Sequence, residues 1–173
     1  MIDIEADGPI PATDAYSMIS FGAVIVDATL DKTFYGKLRP ISPKWIPSAL
    51  AVSGFTREET MAFPEAKQVM QDFQAWLDQN GVKQAMGISD NNGFDFSFMN
   101  WYCHYFLGQS PFGHSSQNLG SIYKGIKRDL RVNFKHLRRT IHDHNPVNDA
   151  KGNAEAFNRI VVEEQVKLPK GAK

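Results

Sequence analysis

A long β-branched run followed closely by a second strand-like segment restricts the possible folds most. Residues 17–27 read Ser-Met-Ile-Ser-Phe-Gly-Ala-Val-Ile-Val-Asp, which is typical of a mostly buried strand. Residues 28–31 turn the chain, and residues 32–40 then alternate apolar or small side chains with Thr, Tyr, Lys and Arg. So short a connection cannot make the crossover that parallel neighbours require. The two segments are therefore predicted to form an antiparallel hairpin.

The rest of the chain alternates between helical and strand-like patterns. Thr56 and Glu59 resemble a capping box at the start of a helix. The further predicted elements are a helix from Pro64 to Asn80, a strand over 85–89, a helix over 94–106, a poorly defined strand over 112–123 and a helix from Asn153. This order predicts a mixed α/β fold. We expect residues 1–173 to form a single domain, with a flexible tail over 167–173.

Composition and segment lengths exclude several classes of protein. Apolar residues make up 42% and charged residues 22% of the chain, which is typical of a globular protein. The longest strongly apolar run, 21–26, is far shorter than the roughly 20 residues that cross a bilayer. Acidic residues stand where a signal peptide would have its basic region. The single cysteine, Cys103, predicts a reducing cytoplasmic location and a buried thiol.

Two acidic residues alternate with isoleucines at the start of the chain. In a strand, Ile2 and Ile4 would face one side, and Asp3 and Glu5 the other. Carboxylates this close raise each other's pKa unless a cation, usually a divalent metal, lies between them. With 19 acidic residues among 173, however, about two such pairs are expected by chance. Later residues must therefore complete any metal site.

A local basic block interrupts a chain whose formal net charge is zero. Its members, set against the single acid Asp129, are Lys124, Lys127, Arg128, Arg131, Lys135, Arg138 and Arg139. One interpretation is a solvated helix face. The other is a phosphate-binding surface, which requires polyanion chemistry elsewhere in the chain.

Three acidic blocks resemble the DEDD superfamily of 3′–5′ exonucleases in its histidine-containing (DEDDh) subclass. These blocks are Asp3-Ile4-Glu5, the segment Asn92-Gly93-Phe94-Asp95-Phe96, and the segment from His144 to Ala150, in which four residues separate His144 from Asp149. The chain is most similar to the ribonuclease T-like and ribonuclease AS-like branch. The resemblance implies a ribonuclease H-like α/β fold with a mixed five-stranded sheet, in which strands 1–3 are antiparallel and parallel strands follow, flanked by helices.

The same resemblance implies a two-metal mechanism on single-stranded RNA or DNA with a free 3′ end. Asp3, Glu5 and Asp149 would bind one Mg²⁺ or Mn²⁺, and Asp3 and Asp95 would bind a second, since hard oxygen ligands suit these ions. His144 would be the general base, with His142 as its competitor. Related proteins are commonly homodimers, so the basic block could serve the partner's site. Phe21 and Phe94 are candidates to stack on the terminal base, with core packing as the alternative.

Two departures and two alternatives accompany this interpretation. Ala6 follows Glu5 where many family members have a hydroxyl residue, and only Met1 and Ile2 precede Asp3, so an upstream start or an abbreviated strand is expected. One alternative is a catalytically silent module that only binds nucleic acid or a protein partner. Another is a metal-dependent phosphoesterase acting on small nucleotides. The presence of all five expected side chains favours the exonuclease.

Overall fold

The computed structural model describes residues 1–168, whose first three strands form an antiparallel sheet. Strand β1 is Ile2–Ala6, β2 is Met18–Val24 and β3 is Thr33–Lys37. β2 lies in the middle and pairs with β1 on one side and with β3 on the other. The predicted hairpin is therefore confirmed as the pair β2–β3.

Strand β1 is short, and backbone hydrogen bonds anchor it at its first residue. The Met1 amino group donates to the Val24 carbonyl at 2.7 Å, and the Val24 N–H donates to the Met1 carbonyl at 2.9 Å. Ile2 and Ile4 are buried in the main apolar cluster. The two isoleucines therefore fix β1 from the core side, and alternation gives the other side to the acidic residues.

Six α-helices lie within the described residues. They are α1 Pro47–Val52, α2 Arg57–Met61, α3 Ala66–Gln79, α4 Asn92–Leu107, α5 Leu119–Lys127 and α6 Pro146–Glu163. The predicted capping box is confirmed at α2, where Thr56 accepts from the Glu59 N–H and Glu59 accepts from the Thr56 N–H. Helix α3 corresponds to the helix predicted from Pro64 to Asn80, and it buries an apolar stripe that includes Val69, Met70 and Phe73.

Two short strands complete the α/β architecture. β4, Gly87–Ser89, and β5, Ser116–Asn118, pair in parallel, and β4 lies beside β1. The predicted combination of antiparallel and parallel strands is confirmed. Within residues 1–168, however, the strands form a three-stranded and a two-stranded ladder instead of one continuous five-stranded sheet. β4 and β5 have three residues each, too few to extend far along a neighbouring strand.

Two apolar clusters hold helices against the strands. One joins β1 and β2 to α3 and α4 through residues such as Phe21, Phe73 and Phe98. The other joins the strands to α5 and α6 through residues such as Leu119 and Phe157. The strands are thus flanked by helices, as the resemblance to the exonuclease family implies. Within residues 1–168, none of the helices has both the length and the hydropathy required to cross a bilayer.

The last helix begins earlier than the sequence predicts. Its predicted start at Asn153 followed from the apolar positions, which begin with Ala154, but α6 begins at Pro146. Asn145 caps it, because its side chain accepts from the Val147 N–H at 3.0 Å, and proline suits the first helical position. The polar first turns therefore belong to the helix, and Asp149 lies in its first turn.

The basic block is not a single helix face. Helix α5 contains Lys124 and Lys127, and the chain then leaves the helix at Arg128, which adopts a left-handed conformation. A short 3₁₀ turn follows at Lys135–Leu137. The predicted tail over 167–173 lies almost wholly outside the described residues, which end at 168.

Candidate active site

Three elements bring the predicted acidic residues together. Asp3 and Glu5 lie on β1, Asp95 lies in the first turn of α4, and Asp149 lies in the first turn of α6. One carboxylate oxygen from each of Asp3, Glu5 and Asp149 lies within 4.8 Å of the others. Asp3 also belongs to a second such group with Asp90 and Asp95. Asp3 is therefore common to two adjacent groups of oxygen ligands.

Several of these oxygens are buried without a hydrogen-bond partner in residues 1–168. They are Oδ2 of Asp95 and both carboxylate oxygens of Asp149. Asp95 is 2% exposed and Asp149 is 1% exposed. Unsatisfied buried carboxylate oxygens are costly, and a bound cation is one common reason for them. The donor set consists of hard oxygens, so the residues present fit Mg²⁺ or Mn²⁺.

Burial and mutual repulsion raise the pKa values of these carboxyl groups. Loss of hydration on burial is the main cause of the shift that takes the pKa of Glu5 to about 7, and the charges of Asp149 and Asp95 add to it. Burial likewise raises the pKa of Asp95 to about 7. The pKa of Asp3 is raised well above its usual value, first by burial and then by Asp95 and Asp149. The site is thus unfavourable for its own negative charge unless a cation is bound.

Two histidines border the carboxylates on the loop before α6. His142 Nδ1 lies 2.7 Å from Asp149 Oδ1, and His144 Nδ1 lies 3.6 Å from Glu5 Oε1. The two ring centroids are 4.4 Å apart. His144 has a φ of 60°, a left-handed conformation that is uncommon for a residue other than glycine. Both candidates for the base therefore reach the site, in contact with different carboxylates.

A close approach between β2 and α6 sets the distance between β1 and Asp149. Gly22 pairs directly with Asp3, so a side chain at either position points to the same face of the sheet. A Cβ atom at Gly22 would lie 2.2 Å from the carbonyl carbon and oxygen of Pro146. Only glycine allows the first turn of α6 to pack this closely onto the sheet.

Asp90 is a site residue that sequence reasoning missed. From sequence alone, residues 90–93 read only as a loop-forming break after the predicted strand, since Asp and Asn are common in turns. In the structure Asp90 follows β4, and its Oδ2 accepts a hydrogen bond from Arg138 at 3.1 Å. Arg138 also donates to Oδ1 of Asn153 on α6. A polar residue at the carboxyl end of a predicted strand was the signal that could have identified it.

Residues of the basic block have different environments. Arg138 is 8% exposed and is held by Asp90 and Asn153, so the structure assigns it a supporting role within the protein instead of the predicted contact with nucleic acid. Lys127 pairs with Glu164, and Arg131 pairs with Asp129 at 3.0 Å. Arg128, Lys135 and Arg139 are exposed, whereas Lys124 is half-buried. The block thus combines one internal guanidinium with a set of surface cations.

The two aromatic candidates also differ in exposure. Phe21 is 0% exposed and packs against Phe34 and Phe73, so no face of its ring can stack on a base. This corrects the expectation that it contacts the terminal nucleotide; it lies in the core. Phe94 is half-buried beside Asp95, and its ring is tilted by 58° against that of Phe98, with the centroids 5.2 Å apart. Phe94 therefore stays a candidate.

Comparisons with known proteins agree with this geometry. Residues 1–157 match the Exonuclease (RNase_T) family. The chain is 32% identical over 170 residues to the 3′–5′ DNA exonuclease Cap18 of Escherichia coli, covering 92% of this chain and 89% of that protein.

Solved structures share the fold at low sequence identity. Cell-death related nuclease 4 (CRN-4) superposes with a TM-score of 0.73 at 16% identity, covering 94% of this chain. This chain spans only 62% of the length of that protein. Exonuclease X, solved in complex with 5′ overhanging duplex DNA, gives a TM-score of 0.53 at 15% identity and covers 99% of this chain and 95% of that chain. From its family match and its relative, the chain belongs to the RNase_T exonuclease family and is a 3′–5′ exonuclease of the DEDD type that acts on nucleic acid.

Proposed function

We propose that this protein removes nucleotides from the free 3′ end of single-stranded nucleic acid in a reaction that requires two Mg²⁺ or Mn²⁺ ions. The observation that carries the proposal is the convergence of Asp3, Glu5, Asp95 and Asp149 with buried oxygens that lack partners in the described part of the chain. The shared position of Asp3 between two ligand groups supports two ions in preference to one.

Each carboxylate has a distinct part in this scheme. Asp3, Glu5 and Asp149 would hold one ion. Asp3 and Asp95 would hold the other, with Asp90 as a third ligand. Bound divalent ions supply an activated water and neutralise the charge that develops on the phosphate. The protein contributes fixed positions, because Asp95 and Asp149 are nearly fully buried on helix first turns.

His144 is assigned as the general base. Its imidazole is 49% exposed and lies beside Glu5, so it can reach a water molecule held at the carboxylates. Only the neutral ring can accept a proton, and activity should therefore fall when acid protonates it. His142 is the alternative base, and its contact with Asp149 is the closer of the two. The spacing to Asp149 and the similarity to the DEDDh subclass support His144.

DNA is the proposed substrate, because the relative at 32% identity is named a DNA exonuclease. Exposed cations of the basic block, Arg128, Arg131, Lys135 and Arg139, would contact the phosphate backbone. The half-buried Phe94 would offer its accessible ring surface to the terminal base.

We also propose that the protein forms a homodimer in which the basic block of each subunit serves the active site of the other. Light scattering of the purified protein at several concentrations tests the dimer. A cytoplasmic location is also proposed from the single cysteine, whose thiol is buried with a pKa raised to about 12. Cell fractionation tests that location.

Labelled strands provide the direct test of the reaction. Single-stranded DNA and RNA, labelled at either the 3′ or the 5′ end, are incubated with Mg²⁺ or Mn²⁺ and with a chelator. We expect immediate release of the 3′ label and a descending ladder from the 5′-labelled strand, with DNA degraded faster. Binding without cleavage would indicate the silent module, and cleavage confined to mononucleotides would indicate the small-nucleotide phosphoesterase.

Matched variants separate the site from general effects of charge. Asp149→Asn should abolish cleavage, whereas Asp14→Asn, at an exposed acid in a turn, should keep wild-type rates. His144→Ala should lower kcat by about 10²- to 10⁴-fold, the usual contribution of a general base. Full activity of Asp149→Asn would refute the metal scheme, and a larger loss in His142→Ala than in His144→Ala would assign the base to His142.

A further inference from the structure

The two histidines at the site form a ligand group different in chemistry from the carboxylates. One nitrogen from each of His142 and His144 and one oxygen of Asp149 lie within 4.8 Å of one another. The other two groups, which contain Asp3, consist of oxygens only. A pair of imidazoles with one carboxylate suits Zn²⁺ and other transition metals, whereas oxygens alone suit Mg²⁺ and Mn²⁺.

The loop that carries the histidines is held at its acidic residue. Asp143 accepts hydrogen bonds from the Asn145 N–H at 3.0 Å and from the Asn148 side chain at 2.8 Å. Its carboxylate is thereby engaged by the start of α6. The flanking imidazoles are half exposed, with side-chain exposures of 49% each, and their centroids are 4.4 Å apart. The group is therefore accessible to an ion from solvent and has a fixed backbone.

His142 makes a close contact with the buried carboxylate of Asp149. Nδ1 and Oδ1 are 2.7 Å apart, yet neither oxygen of Asp149 has a hydrogen-bond partner among residues 1–168. The Asp149 side chain is 1% exposed, so solvent does not compensate for this deficit. A cation that accepts lone pairs from both atoms would satisfy the buried carboxylate. The same buried carboxylate also belongs to the oxygen-only group with Asp3 and Glu5, so the two ligand groups share it.

We propose that His142, His144 and Asp149 form a binding site for Zn²⁺ or a similar transition-metal ion, and that its occupancy inhibits the nuclease. Three protein ligands leave one position for water in a tetrahedral site. Occupancy would remove two groups from the reaction, because the ion would engage a nitrogen lone pair of His144 and the carboxylate of Asp149, which the oxygen-only group also uses. The inhibition, unlike the binding, rests on the function proposed above.

Binding is tested first, with the intact protein and with Zn²⁺ alone. Titration with Zn²⁺ followed by imidazole NMR should perturb two of the five histidines together, and calorimetry should give the affinity of the same event. His142→Ala and His144→Ala should each weaken Zn²⁺ binding at least about tenfold, in line with the effect of removing groups that support a metal. His104→Ala changes an exposed histidine on α4 and should leave the affinity within twofold.

Inhibition is tested separately, at fixed Mg²⁺ on the 5′-labelled strand. The Zn²⁺ concentration that halves the rate should rise at least about tenfold in His142→Ala, relative to that variant's own uninhibited rate. Equal loss of Zn²⁺ affinity in His104→Ala, or no perturbed imidazole pair, would overturn the site. Tight binding at the pair without inhibition would overturn the inhibitory role. Absence of Mg²⁺-dependent cleavage with Zn²⁺ binding intact would overturn the proposed function and leave the metal site standing.

Discussion

The close contact between Gly22 and Pro146 allows a quantitative prediction for Gly22→Ala. The added Cβ would lie 2.2 Å from the carbonyl carbon and oxygen of Pro146 and 2.4 Å from the Val147 nitrogen. Carbon atoms in good contact are about 3.5–4.0 Å apart, so the start of α6 must retreat by about 1 Å or more. The atoms in the way are backbone, which cannot rotate aside as a side chain would.

The displacement should affect activity more than stability. Overpacking of this kind typically costs about 1–3 kcal/mol of folding free energy. Asp149 lies in the displaced turn, and a misplacement of about 1 Å in a catalytic geometry can cost on the order of 10²-fold in rate. We therefore expect kcat/KM on the 5′-labelled strand to fall about 10²-fold at a temperature where Gly22→Ala is fully folded.

Gly125→Ala is the matched control. Among the described residues, no heavy atom outside its own helix turn lies within 4 Å of a Cβ built at Gly125. In the interior of α5, alanine should stabilise the helix by about 0.5–1 kcal/mol and leave kcat/KM unchanged. Wild-type kcat/KM in Gly22→Ala, with the variant folded, would refute the argument that this contact sets the geometry of the site.

Three further predictions concern charge. Burial raises the pKa of Glu5 from 4.5 to about 7, so between these pH values the folded state binds more protons than the unfolded state. The free energy of unfolding of the metal-free protein should therefore fall as pH rises from about 4.5 to 7. Glu5→Gln should flatten this pH dependence in thermal melts. At pH 8, Mg²⁺ at 100 times its dissociation constant should add about 2.7 kcal/mol of stability, seen as a higher Tm, and Asp149→Asn should lose most of this gain. In urea unfolding, Arg138→Met should lower the free energy of unfolding by about 1–3 kcal/mol because it leaves Asp90 and Asn153 unpaired. Arg131→Met, at a side chain that is 90% exposed, should lower it by less than about 1 kcal/mol. Equal losses in the two variants would contradict the supporting role of Arg138.

Secondary structure could be predicted from sequence where residues close together in the chain determine it. The hairpin, the capping box at Thr56 and Glu59, and the apolar stripe of α3 follow from residues that are close in sequence. The start of α6 did not follow, because its first turns have few apolar residues and depend on Asn145, Pro146 and contact with β2. Capping and close packing determine where α6 begins, and neither can be read from the spacing of apolar residues.

Side chains that depend on distant partners were the hardest to predict. The roles of Asp90 and Arg138 follow from a contact across 48 positions of sequence, which no local pattern contains. For Phe21 the sequence leaves base stacking and core packing open, and the structure places its side chain in the aromatic core. Sequence order and spacing indicated which acids to consider, and the fold decided which charges and rings face the site.

The pairing of Asp7 has a consequence for the charge balance of the site. Asp7 continues the acidic alternation of β1, but it is fully buried in another contact, where Arg57 donates to Oδ2 at 2.8 Å and the Ser17 N–H donates to Oδ1 at 2.6 Å. Asp90 is likewise matched by Arg138. Two arginines thus neutralise the two extra acids. The remaining carboxylates, Asp3, Glu5, Asp95 and Asp149, carry four negative charges, which the two proposed divalent ions would balance, so the loaded site would be electrically neutral before the phosphate arrives.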